Sequence, residues 1–153
     1  MDKPIYALLD PNQITVDTED TLERVEAVLD DNNLDYVPVV DMGGGIFGVI
    51  SMHEIVHFHS HKRNPKAVLA WEVCTHRLFE VDALMSVREV AKLMATKRIH
   101  HVTVMENGNY RGVIALLDLV ERYLLVDPDA LYPERKPSAD DAPHASAPHS
   151  YSY

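Results

Sequence analysis

The sequence predicts an α+β chain in which one strand-helix-strand-strand-helix unit is used twice. Three observations carry that reading. Ile14-Thr15-Val16-Asp17 returns as Phe79-Glu80-Val81-Asp82, and residues 34–39 return as residues 99–104, both at a shift of 65. Gly48-Val49-Ile50 returns as Gly112-Val113-Ile114 at a shift of 64, because the loop before it is one residue shorter. Apolar positions also coincide through the intervening helices: Leu22 with Val87, Val25 with Val90, Val28 with Leu93, Leu29 with Met94. A unit of this size cannot bury its own apolar face and needs its twin, so function is expected at the junction of the halves.

Each copy opens on a short strand, residues 13–16 and 78–81, with β-branched or aromatic residues bounded by polar ones. A helix follows. Asp20-Thr21-Leu22-Glu23 supplies a cap with an acidic first turn, and Ser86-Val87-Arg88-Glu89 matches a capping box ahead of apolar residues at i, i+3, i+4 and i+7. Asn32-Asn33 ends the first helix, since Asn tolerates the left-handed conformation. Two strands come next as a hairpin: 36–40 and 46–50 around Gly43-Gly44-Gly45, then 102–105 and 110–114 around Asn107-Gly108, the stronger turn signal. A closing helix begins near Ser51, and its counterpart runs from near Ala115 to about Leu125. This divides the chain into a first repeat with its connector at 1–66, a second repeat at 67–126 and a tail at 127–153. The tail, with Pro, Ser, Ala and His and no apolar period, is expected to be disordered.

Composition narrows the function classes. Hydrophobic residues at 46% and charged residues at 25% describe an ordinary soluble globular chain. Cys74 has no partner for an intrachain disulfide, and Met1-Asp2-Lys3-Pro4 has no basic patch leading into an apolar stretch; a cytoplasmic location is the expectation. No apolar run approaches the roughly 20 residues of a membrane helix. The formal net charge of -10 opposes nucleic acid and anionic membrane as partners.

Val37-Pro38-Val39-Val40-Asp41, a glycine turn, then Gly48-Val49-Ile50-Ser51 and Glu54 resembles the cystathionine-β-synthase (CBS) domain motif. Arg98-Ile99-His100-His101-Val102-Thr103-Val104, the Asn107-Gly108 turn, Gly112-Val113-Ile114 and Asp118 repeat it. The resemblance covers about residues 10–125 and implies a tandem pair, or Bateman module, with facing sheets around a pseudo-two-fold axis. It implies clefts for an adenosine-containing ligand (AMP, ADP, ATP or adenosylmethionine), a homodimer, and a sensor that performs no chemistry but biases a partner protein.

The residue types agree with such a cleft. Gly48 to Ser51 feeding a helix presents unpaired N–H groups and a partial positive charge to a phosphate, with the Ser51 hydroxyl beside them. A carboxylate one turn on, Glu54 or Asp118, suits ribose hydroxyls. The candidate contacts are Thr15 and Ser51 for phosphate, Glu54 and Asp118 for ribose, and Val37, Pro38, Ile50, Val102 and Ile114 as apolar walls. Arg98 and His101 join them at the strand entry of the second copy. The family pattern pairs a Ser or Thr with an Asp three residues later. Here Ser51 precedes a longer Glu54, Asp118 follows Ala115, and Thr15 becomes Glu80 in the second copy.

Two rival readings stand beside this one. A ligand-free dimerisation or docking module accounts for the mismatches at Glu54, Glu80 and Ala115. His53-Glu54-Ile55-Val56-His57 matches the H-E-x-x-H zinc helix, yet Glu54 coincides with the repeat's carboxylate position and no distal His follows at metzincin spacing. His59 and His61 extend the histidine stretch, and the blander reading is a His-tolerant connector. Cys74, Trp71 and Phe79 read as packing residues, Arg77 and Arg111 as surface charges.

Overall fold

Thr21 and Ser86 start equivalent helices in the same way, and the fold is built from such matched pairs. The Thr21 hydroxyl accepts from the Arg24 N–H at 3.2 Å, and the Ser86 hydroxyl accepts from the Glu89 N–H at 3.1 Å. The computed structural model describes residues 2–126, so the expectation for the tail lies outside the described residues. The first repeat comprises β1 (Val16–Asp17), α1 (Leu22–Asp31), β2 (Tyr36–Val40), β3 (Ile46–Ser51) and α2 (Met52–Ser60). After a short α3 (Ala70–Val73), the second comprises β4 (Phe79–Asp82), α4 (Val87–Lys97), β5 (His101–Glu106), β6 (Asn109–Ala115) and α5 (Leu116–Leu119). Each repeat holds a three-stranded sheet, ordered β1-β2-β3 or β4-β5-β6, with the first pair parallel and the second antiparallel.

The repeat extends to backbone irregularities. Both hairpins slip register at the same point, between Val39 and Val40 and between Val104 and Met105. Asn33 and Arg98, 65 residues apart, both take left-handed backbone just past their helices, at φ 52° and 54°. The Asn107-Gly108 turn has positive φ at both residues, as a tight hairpin of this hand requires.

Two elements depart from the sequence reading. β1 is only Val16–Asp17, because Gln13 is drawn to the other repeat: its side-chain amide donates to the Val113 carbonyl at 2.8 Å and accepts from the Val113 N–H at 3.0 Å. The closing helix is α-helical only through Leu119; Val120–Leu124 widens into a π-helical turn, in which the Leu125 N–H reaches the Val120 carbonyl.

Packing crosses the sequence division at 66/67. A 3-10 turn at Ile5–Leu8 and its counterpart α3 each lead into one repeat but pack into the core of the other. Ile5 and Leu8 join the cluster of Val87, Met94 and Ile114, while Val68, Ala70 and Cys74 join that of Leu22, Leu29 and Ile50. The exchange is symmetric in its hydrogen bonds. The Val87 N–H donates to the Lys3 carbonyl and the Leu22 N–H to the Val68 carbonyl, both at 2.8 Å. Each fully buried aliphatic side chain contributes about 1.5–3 kcal/mol relative to exposure, so the exchanged segments bind the halves into one body.

Candidate functional site at the repeat junction

Tyr36 opens β2 and His101 opens β5, 65 residues later, and these counterparts meet where the two halves adjoin. Their ring centroids are 4.8 Å apart with planes tilted by 58°. Beside them runs a groove of about 940 Å³ with contributions from both repeats, including Ile14, Pro38 and Ser51 from the first and Ala115, Leu116 and Asp118 from the second.

Asp118 is the groove's most constrained polar group, 8% exposed. It sits in the first turn of α5, where one oxygen accepts the Ala115 N–H at 2.9 Å and the Tyr36 hydroxyl at 2.6 Å. Its other oxygen lies 3.5 Å from a guanidinium nitrogen of Arg122, which also donates to the Leu8 carbonyl at 2.7 Å. The Gln13 amide donates to the Tyr36 oxygen at 3.2 Å. Burial, then the adjacent Asp118 carboxylate, pushes the Tyr36 phenol far above its ordinary value, so Tyr36 remains a hydrogen-bond donor across the physiological range. Burial likewise lowers the His101 pKa and favours the neutral ring.

Glu54 has the equivalent position in α2 but a different environment. One oxygen accepts the Ser51 N–H at 3.0 Å and the Ser51 hydroxyl; the other accepts the Thr75 hydroxyl at 2.5 Å. Burial alone raises its pKa, yet the bonds from Ser51 and Thr75 outweigh it and hold the carboxyl below the usual glutamate value. Glu54 borders a smaller cavity of about 420 Å³, shared with Thr75, His53 and His57.

The sequence-derived candidates therefore separate. Pro38, Ser51, His101 and Asp118 reach the large groove, and Glu54 reaches the smaller cavity. Val37, Ile50, Val102 and Ile114 do not wall a base: all four are fully buried, members of the two cores. Strand alternation explains the correction, since Val37 pairs with Ile50 and Val102 with Ile114 on the core face while Pro38 takes the opposite face. Thr15 is exposed and off the groove, where its neighbour Ile14 stands instead. Arg98 is exposed as the left-handed cap of α4 and does not line the groove.

Sequence reasoning missed Tyr36, Gln13, Thr75 and Arg122. Only Tyr36 had a signal, as the counterpart of His101 at the shift of 65. In the H-E-x-x-H stretch, Glu54 spends its oxygens on Ser51 and Thr75, and just beyond it His59 contacts Glu26 at 2.5 Å. Among the described residues, no group of three or more His, Cys, Asp or Glu is placed to hold a metal ion. Cys74 is buried, and burial pushes its thiol up to about 11.

The comparisons with known proteins agree with this architecture. The CBS domain family model matches residues 3–61 and 70–125. An uncharacterized protein of Methanocaldococcus jannaschii is 23% identical over 133 residues, covering 78% of this chain and 32% of the relative. Another, from Methanopyrus kandleri, is 26% identical over 116 residues, covering 73% and 59%. The chain thus spans about a third of the length of the first of these relatives and about three fifths of the second. A conserved CBS domain protein of unknown function from Thermoplasma acidophilum superposes with a TM-score of 0.71 at 24% identity, covering 81% of this chain and 70% of that one. The CBS domain of a bacterial CNNM/CorC family Mg2+ transporter, solved in complex with ATP, superposes at 0.68 with 20% identity, covering 80% and 87%. Among the described residues, no helix is long and apolar enough to cross a membrane.

Proposed function

The chain belongs to the CBS domain family, and from that premise we propose that it is a non-enzymatic sensor module that binds an adenosine-containing ligand between its repeats and controls a partner protein. The observation that carries this reading is Asp118, a nearly buried carboxylate at the groove wall that already accepts a hydroxyl proton, from Tyr36. A ribose hydroxyl presents the same donor. The groove volume of about 940 Å³ suits a nucleoside-sized molecule, and Pro38, Ile14 and the His101 ring offer apolar and flat surface to a base. That a transporter CBS domain of the same fold is known with ATP supports the ligand class.

The test is a thermal-shift screen with AMP, ADP, ATP and adenosylmethionine. A ligand that binds only the folded chain raises the melting temperature, and Asp118→Ala reduces the rise. A flat response to all four at millimolar concentration overturns the sensor reading.

A docking module without ligand is then the reading that takes its place. It has its own support: Tyr36 occupies one Asp118 oxygen and both Glu54 oxygens are held within the chain. Under either reading we place the module in a cytoplasmic homodimer, for which exposed Met52 and Val56, one turn apart on α2, offer an apolar strip. Light scattering of the full chain tests that assembly.

A further inference from the structure

We infer that the junction groove selects an adenosine derivative without phosphate, uncharged or cationic, and discriminates against nucleotides. This rests on the adenosine reading above and narrows it to one ligand chemistry.

The groups that would greet a phosphate are already committed. The Ser51 hydroxyl and N–H both donate to the Glu54 carboxylate, so an anion there would compete with an anion for the same protons. At the matching place in the second repeat, Ala115 has no hydroxyl, its N–H is held by Asp118, and the Leu116 N–H donates to the His100 carbonyl at 2.8 Å. At both helix starts the cap residue's own donors, the hydroxyl and N–H of Ser51 and the N–H of Ala115, are thereby withdrawn from a phosphate.

Wall charge points the same way. Asp10, Asp35, Asp118 and Glu121 line the groove, and Arg122 is its sole Lys or Arg among the described residues. That guanidinium already bonds the Leu8 carbonyl and faces Asp118. Four carboxylates against one engaged cation give the groove a negative potential, on a chain whose net charge is -10. Such a potential repels a phosphate monoester, repels a triphosphate more, and attracts a sulfonium or ammonium substituent.

Calorimetry on the full chain at low ionic strength, with adenosine, adenosylmethionine, AMP and ATP as probes, decides it. Adenosine and adenosylmethionine are expected to bind at least about tenfold more tightly than AMP, and AMP more tightly than ATP. Glu121→Lys and Asp35→Lys, both at exposed wall positions, are expected to narrow the gap between adenosine and AMP severalfold. AMP or ATP binding as tightly as adenosine overturns this inference while leaving the sensor reading intact. So does an adenosine-to-AMP ratio unmoved by both lysine variants. Absence of heat with all four probes overturns the adenosine reading itself, and this inference with it.

Discussion

Glu54 and Asp118 hold the same position in the two repeats, one turn into the closing helix, yet they serve different junctions. Glu54 turns to Ser51 beside it and to Thr75 in the segment that enters the second repeat. Asp118 is shorter, holds its own helix start, and takes its second proton from Tyr36 across the repeat boundary. The lead segments differ in the same sense. The Val49 N–H and carbonyl are both paired with backbone of Thr75, whereas the corresponding groups of Val113 are paired with the side chain of Gln13. A backbone bridge seats its segment flush against the strand. A side-chain amide holds its segment further off, and Asp10, Asn12 and Gln13 become one wall of the larger groove. Near-identical frameworks thus produce unequal cavities through which chain atoms close the edge.

The largest test of that contrast is at the two strand glycines. A Cβ on Gly48 would stand 2.7 Å from both the Cys74 sulfur and the Thr75 carbonyl oxygen, the latter being backbone. Gly112→Ala meets the end of the Leu9 side chain, also at 2.7 Å, which can turn aside. Gly48→Ala should therefore cost about 3 kcal/mol and Gly112→Ala about 1 kcal/mol in denaturant unfolding. Equal losses would remove the distinction between a backbone-closed and a side-chain-closed edge.

Next come the hydroxyls that serve the two carboxylates. Tyr36→Phe removes a donor from a nearly buried carboxylate and should cost about 1.5 kcal/mol. Thr75→Val removes an exposed one and should cost about 0.5 kcal/mol. Urea midpoints of the two variants, read against the wild type, check the order.

Acid separates the junctions further. The folded pKa of His101 lies below its ordinary 6.5, so the unfolded chain takes up that proton first as pH falls, and stability declines below pH 6.5. Glu54, also depressed, contributes stability above its ordinary 4.5 that is lost only as pH falls through its lower folded value. Melting temperatures across pH should show the first decline flattened in His101→Gln and the more acidic one flattened in Glu54→Gln.

The smallest effect lies at the left-handed caps. Arg98→Gly should stabilise by about 0.5 kcal/mol, because a side chain at φ 54° is strained, while Asn33→Gly should change almost nothing since Asn tolerates that region. A destabilised Arg98→Gly would mean that the Arg98 side chain makes a contribution its exposed cap position does not predict.

Sequence alone determined the repeat, the order of elements in each copy, their caps and turns, and membership of the CBS domain family. These rest on local chemistry: Ser86 ahead of Glu89, Asn107 ahead of Gly108, Leu22 and Val25 on one helix face. It also singled out Ser51 and Asp118, because the motif marks the end of a strand and the start of a helix, and Pro38 and His101, because the motif places them on the strand before that one. Tertiary structure decided which strand face meets the core. Val37-Pro38-Val39-Val40 is apolar on both faces, so alternation carries no phase there, and only the seating of β2 between β1 and β3 turned Val37 into the core and Pro38, itself also buried, to the groove side. The exchange of Ile5 and Ala70 between cores, and the bond from Tyr36 to Asp118 across 82 positions, likewise needed the two halves in place. Neither residue's neighbours in sequence specify the other, and a hydrogen bond between them exists only once the repeats have docked.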